Sequence, residues 1–257
     1  MKRGLLLGVI LFCSGLLAQE GRNSTQDSLG NTKNNMIKMN VIPLAWGSGS
    51  LSYERKVVGR LVGGITVNYR PESGAPFKRT LQKVFENDVE EGNTTFDIDQ
   101  LRYSNFSVAP EVKLYLGKKG AFRGFYVAVF GKVESTKVDY AYRFEGFTFL
   151  NQELELPLRG NVKARSGGLY FGVQWHLGKR FYLDWQIIGA NYGTADIDIS
   201  AYRNLTLQEQ AELQNFAEDL TESFDKLTFE VNDNGIKMKG KMPWLGLRTG
   251  LSIGYRF

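Results

Sequence analysis

The sequence has almost no cysteine and almost no histidine, with Cys13 and His176 the single representatives of each. Cys13 falls inside an N-terminal apolar run that is expected to be removed, so disulfides and thiolate chemistry drop out of consideration. A lipidated Cys13 is disfavoured by the bulky Phe12 before it. A lone histidine cannot assemble a histidine-rich metal site, and neither a metal nor any other cofactor is expected. Serine hydrolysis would need His176 beside a serine and an orienting acid, and Ser52, Ser252, Glu54 and Asp184 are candidates only in the loosest sense. No catalytic residue is assigned. Phosphate-cradling glycine loops, calcium loops and zincin motifs are also absent.

Long apolar runs are missing beyond the N-terminus. No later stretch approaches the roughly 18 consecutive apolar residues of a spanning helix. That excludes helical spans and leaves transmembrane barrels open, because their strands are short and alternating. A charge excess is lacking too: the formal charge is +5 and falls by two, to +3, without Lys2 and Arg3. So small an excess gives no reason to invoke nucleic acid.

What is present begins with an export signal. Lys2 and Arg3 precede an apolar run from Gly4 to Leu17, followed by Ala18 and Gln19. That layout implies a signal peptide over 1–18, and the run is shorter than the roughly 20 residues of a spanning helix. Residues 19–35 are polar and read as a flexible periplasmic lead-in, leaving 36–257 as the folded part.

From Met36 the pattern alternates. In the last segment Leu245, Leu247, Thr249, Leu251, Ile253, Tyr255 and Phe257 share one face, opposite Gly246, Arg248, Gly250, Ser252, Gly254 and Arg256. A period of two is a strand signature. It recurs in 169–177, where Leu169, Phe171, Val173 and Trp175 oppose Tyr170, Gly172, Gln174 and His176. It recurs again in 181–190, with Phe181, Leu183, Trp185, Ile187 and Gly189 on one face, and in strands around 108–116 and 125–134. Three opening strands are placed near 36–46, 50–58 and 60–70. The sum is an all-β, eight-stranded antiparallel transmembrane β-barrel. After a first tight hairpin near Gly47–Ser50, short connections near Gly59, Gly117–Ala121 and Gly178–Arg180 alternate with long ones near 71–98, 141–160 and 193–239. This asymmetry places the short turns and both termini in the periplasm, the long loops outside the cell and the chain in the outer membrane, among its lipids.

The lipid-facing set carries aromatics towards strand ends: Tyr69, Phe125, Trp175, Phe181, Trp244, Tyr255 and Phe257. A terminal strand ending on Tyr255 and Phe257 resembles the signal read by the barrel assembly machinery. The inward set includes Lys38, Glu54, Lys56, Glu111, Lys113, Lys132, Glu134, Asp184, Arg248 and Arg256. Buried charges need partners, so an ion-pair network is expected with Glu54, Glu111 and Asp184 opposing the bases. Inward Tyr115, Tyr126, Phe130, Tyr170 and Tyr182 argue against a wide pore. In the last loop Leu207, Leu213, Phe216, Leu220 and Phe224 recur at helical spacing, and Thr206 with Glu209 has the spacing of a capping box. A short extracellular amphipathic helix is expected there, covering the barrel mouth or docking a partner.

The stretch "IKMNVIPLAWGSGSLSYERKVVGRLVGGITVNYRP" resembles the small outer-membrane proteins of the DUF3575 type, common in Bacteroidota. The resemblance lies in Lys38 with Asn40, the Gly47–Ser50 hairpin, and Tyr53 with Glu54; it is strongest over 36–70 and looser to Phe257. It implies a barrel in the outer membrane with Glu54 as an inward structural position, and it implies no catalytic residue. Three functions follow from the whole reading. The first is a non-enzymatic structural or accessory subunit that binds an envelope partner through its external loops. The others are an integral lipid-modifying enzyme and a narrow small-solute channel.

Overall fold

A computed structural model describes residues 33–75, 99–144, 154–223 and 226–257. The expected signal, most of the lead-in and most of the long connection near 71–98 lie outside the described residues. In chain order the elements are β1 (Asn35–Asn40), β2 (Gly49–Val58), β3 (Leu61–Gly74), β4 (Arg102–Tyr115), β5 (Gly124–Phe144), β6 (Leu154–Gly178), β7 (Phe181–Tyr202), α1 (Leu207–Ser223), β8 (Leu227–Asn232) and β9 (Gly235–Arg256). Neighbouring strands pair antiparallel from β1 to β7, β7 pairs β9, and β9 returns to β1 with Met36 opposite Arg256. Eight strands therefore close into a barrel, which removes the free edges an open sheet would present. β8 stands outside the ring as a hairpin partner of β9.

Alternation gives the wall two chemistries. Outward-facing Phe125, Val129 and Val133 on β5, and Leu169, Phe171, Trp175 and Leu177 on β6, are all exposed. This apolar band covers about nine residues per strand, from Phe125 to Val133 and from Leu169 to Leu177. A tilted strand needs roughly 9–11 residues to cross hydrocarbon. Just past the band the outer face turns charged, in the rungs Ser135–Lys163–Asp196–Lys241 and Lys137–Asn161–Asp198–Lys239.

The strands do not stop where the apolar band does. Loops expected over 141–160 and 193–239 are much shorter, because β5 reaches Phe144, β6 starts at Leu154, β7 runs to Tyr202 and β9 starts at Gly235. Hydrophobic alternation weakens there because the outer face carries charge, while the inner face keeps small and apolar residues such as Leu156, Ala164, Ala195 and Ala201 buried. The first strand is shorter than expected, ending at Asn40 instead of residue 46. Asn40 Oδ1 accepts the backbone N–H of Ile42 and of Leu251, and Pro43, which has no N–H, opens a 3-10 turn over Pro43–Trp46.

A bulge corrects the expected face of β7. Ile187 is an extra residue on this strand, since Phe171 pairs with Ile188 while Gly172 pairs with Gln186. One inserted residue reverses the phase beyond it. Ile188 therefore points outward and Gly189 inward, instead of Ile187 and Gly189 sharing the outer face with Trp185. The reversal brings Asn191 inward, where it donates to Ser166 Oγ at 2.9 Å.

α1 starts as its sequence dictates. The Thr206 N–H donates to Glu209 Oε2 at 2.7 Å and the Glu209 N–H to Thr206 Oγ1 at 3.3 Å, a reciprocal capping box. Leu213 packs with Leu156, Ala201 and Leu205, flanked by Leu158, Val231 and Ile236. In register these sheet residues share the lumen-side face, so α1 lies against the wall of the extension above the barrel mouth.

The lumen is narrow where glycine meets tyrosine. A Cβ on Gly189 would collide with the Cβ of Tyr170 and, at 2.8 Å, with the carbonyl of Leu169; one on Gly131 would meet nothing within 4 Å. Gly189→Val is expected to cost about 1–3 kcal/mol through overpacking. Gly131→Val, on the outer face, should leave the urea unfolding midpoint of the refolded barrel near wild type. Equal midpoints for the two variants would contradict the close approach of β6 and β7.

Candidate functional site

The lumen gathers six charged side chains from five strands. Lys38 from β1 bridges Glu54 of β2 and Asp184 of β7. Lys113 of β4 reaches Glu54 at 2.7 Å, Asp184 at 3.2 Å and Glu111 at 3.5 Å. Arg248 of β9 donates to Glu111 Oε2 at 2.7 Å. Three cations thus face three carboxylates, and all but Arg248 are at most 4 % exposed. Register explains how acids can stand so close: Glu54 pairs with Gly64, and Gly64 with Glu111, so a position without a side chain separates them. A Cβ on Gly64 would come within 3.0 Å of Glu54 Cγ.

Aromatic rings surround the charges. Tyr126 donates to Asp184 Oδ1 at 2.6 Å, and Tyr115 to Gln174 Oε1 at 2.7 Å. Lys113 Nζ lies 4.5 Å from the Tyr126 ring centre, and the Arg248 guanidinium 4.5 Å from that of Tyr170 and 4.6 Å from that of Phe130. Such contacts favour a cation whose water has been removed. Below them Phe122, fully buried, closes the short-turn end against Tyr115. Phe122 belongs to the β4–β5 turn at φ 67, so no alternation marks it in the sequence.

Two residues expected in the network stand apart from it. Arg256 donates to the Tyr182 hydroxyl at 3.2 Å and covers the Phe122 ring at 5.0 Å. Lys56 lies half-buried near the short-turn end of β2. Both have the right facing, but tilted strands carry each rung obliquely around the wall, so facing does not fix height. A second polar group lies higher: Glu134 accepts from Lys132 Nζ at 2.6 Å and from Trp244 Nε1 at 2.7 Å. Trp244 therefore points into the lumen, not to the lipid face. Its phase is that of Gly246 and Arg248, and that phase is the signal that identifies it.

The remaining expected residues are placed as follows. His176 is exposed at the short-turn end, its ring 4.9 Å from that of Tyr182 and Nε2 within 3.3 Å of the Lys179 carbonyl. Ser52 is hydrogen-bonded to Thr66 at 2.8 Å. On α1, Leu213 is buried within the chain and Leu207 is 85 % exposed, so these two do not form one free face. The side chains of Phe216 and Leu220, and Phe224 altogether, lie outside the described residues. Tyr255 faces outward against Phe181 and accepts from Arg180 at 2.9 Å. Phe257 exchanges backbone hydrogen bonds with Asn35 at 2.9 and 3.1 Å, extending the seam that closes the ring.

Chemically, this six-residue cluster neutralises itself and, Arg248 apart, holds its charges nearly out of reach of solvent. Removing one member should therefore cost far more than the net worth of the pair. Lys113→Met leaves three carboxylates against two cations and is expected to destabilise the barrel by about 3–5 kcal/mol. Adding Asp184→Asn restores equal counts, and the double variant should unfold at higher urea than the single one. A double variant weaker than Lys113→Met would contradict charge balance as the organising constraint.

Comparison with known proteins gives likeness to solved structures alone. No family model matches the chain, and no curated protein matches it. Among solved structures the chain is similar to the crystal structure of Acinetobacter baumannii CarO, at 13 % identity over 88 % of this chain and 97 % of that chain, with a TM-score of 0.33.

Proposed function

We propose that the protein is an outer-membrane β-barrel with a sealed lumen, acting as a non-enzymatic structural or accessory subunit that meets an envelope partner at its long-loop end. The observation that carries this reading is the interior itself. Lys38, Glu54, Glu111, Lys113 and Asp184 are buried and mutually paired, and Phe122 stops the short-turn end. A solute path needs open, hydrated volume, and a catalytic lumen needs a group that substrate can reach. Neither requirement is met by charges held at most 4 % exposed, so activity is left to the exterior.

The membrane assignment is supported by the apolar band and by the abrupt change to charged rungs at Lys163, Asp196 and Lys241. The β2–β3, β4–β5 and β6–β7 turns share one end with both barrel termini, which is the periplasmic end in barrels of this architecture, while the β1–β2 connection lies at the other. The closing strand, with Tyr255 and Phe257 at its end, suits recognition by the barrel assembly machinery. At the other end β5, β6, β7 and β9 rise past the band, and their outer face carries Lys137, Asp139, Arg159, Asp198 and Lys239. A polar surface held by continuous sheet is a firm platform for a protein partner.

Two measurements test the reading. Full-length protein inserted into planar bilayers is expected to give no unitary current; reproducible single-channel steps would overturn the sealed lumen. Crosslinking of the intact, tagged protein in its native membrane is expected to enrich a stoichiometric envelope partner, lost when 205–228 is replaced by a short Gly-Ser link. No enrichment with the intact chain would overturn the accessory role.

A further inference from the structure

At the short-turn end β6 outruns its neighbour. β5 begins at Gly124, opposite Gln174, whereas β6 continues to Gly178 against β7. Residues 175–178 therefore have a strand on one side only, and the β4–β5 turn stands beside the open edge. Between them lies a groove of about 1040 Å³. Its lining divides by chemistry: Leu116, Phe125 and Trp175 are apolar, while Lys118, Lys119 and Arg123 are cationic.

No carboxylate lines this groove, and its three cations form no ion pair with a described residue. The contrast with the groove at the opposite end is instructive. There Lys239 and Lys241 are met by Asp198 at 3.6 Å and Asp196 at 3.7 Å. Leu116, Phe125 and Trp175 are 56 %, 62 % and 42 % exposed and continue the apolar band to its lower edge. Uncompensated cations thus stand where hydrocarbon gives way to headgroups, beside an apolar wall that a free anion would leave uncovered.

We propose that this groove binds an anionic glycerophospholipid of the adjoining leaflet, with its phosphate held by Lys118, Lys119 and Arg123 and an acyl chain laid along Phe125 and Trp175. The assignment rests on the membrane reading above. It requires no cofactor and no covalent step.

The test uses the full chain in detergent and native mass spectrometry with phosphatidylglycerol, phosphatidylcholine or lipid A as the added lipid. Wild type is expected to retain phosphatidylglycerol in preference, and the variant K118Q/K119Q/R123Q to lose at least about tenfold of that preference, given the contribution of each basic residue near an anionic surface. K237Q/K239Q/K241Q, at the other end, should keep it. Equal retention of the two lipids by wild type, or an unchanged ratio in the triple variant, overturns the site. A ratio favouring lipid A over phosphatidylglycerol through the same three cations overturns the choice of lipid. Flotation with phosphatidylcholine vesicles reports insertion separately: wild type that fails to float contradicts the membrane reading itself. If only the triple variant fails to float, the single K119Q in the exposed turn decides, and an undiminished ratio in it overturns the proposal.

Discussion

The structure depends on cancelling charge inside a wall that cannot hide it. A strand whose outer face is apolar enough for lipid needs an inner face of different character, or its register is free to slip by one residue. Lysines and carboxylates supply that difference, at the cost of taking ions out of water. The cost is met collectively. Lys113 touches three carboxylates and Lys38 two, so neither lysine depends on a single partner. Tyr126 adds to this by donating to Asp184, and the rings of Tyr126 and Tyr170 face Lys113.

The same cluster sets the shape of the wall around it. Tyr115, Tyr126 and Tyr170 fill one side of the lumen, and inward Gly172, Gly189 and Gly250 stand on the strands facing or flanking them. The Ile187 bulge belongs to this arrangement, because it turns Gly189 inward against Tyr170 where an isoleucine in phase would stand. Bulky rings and missing side chains are complementary parts of one layer, which is how a small barrel fills without a conventional apolar core.

Much of this was legible in the sequence, for identifiable reasons. Eight alternating segments, the inward position of Glu54, Glu111 and Asp184, and the Thr206–Glu209 cap follow from periodicity and spacing, which act over a few residues. What escaped depends on longer range or on breaks in period. The bulge shifts the phase of β7 without altering composition. The tall extension continues as strand after its hydrophobic alternation has weakened. Lys56 and Arg256 face the lumen as periodicity requires, yet lie nearer the short turns, Arg256 against Tyr182 and Phe122. Phe122 acts from a turn, where no period applies, and Trp244 was misassigned although its phase with Arg248 points inward.

The seam between β1 and β9 gives the charge cluster a temporal aspect. These strands lie at opposite ends of the folded chain, and their pairing is the most non-local contact of the ring, the kind that forms slowly. Lys38 arrives only with β1. A sheet in which every other strand is assembled holds Lys113 and Arg248 against Glu54, Glu111 and Asp184, two cations against three carboxylates. Closure of the cylinder and neutralisation of its interior are therefore one event: the strand that shuts the lumen also carries in the cation that balances it.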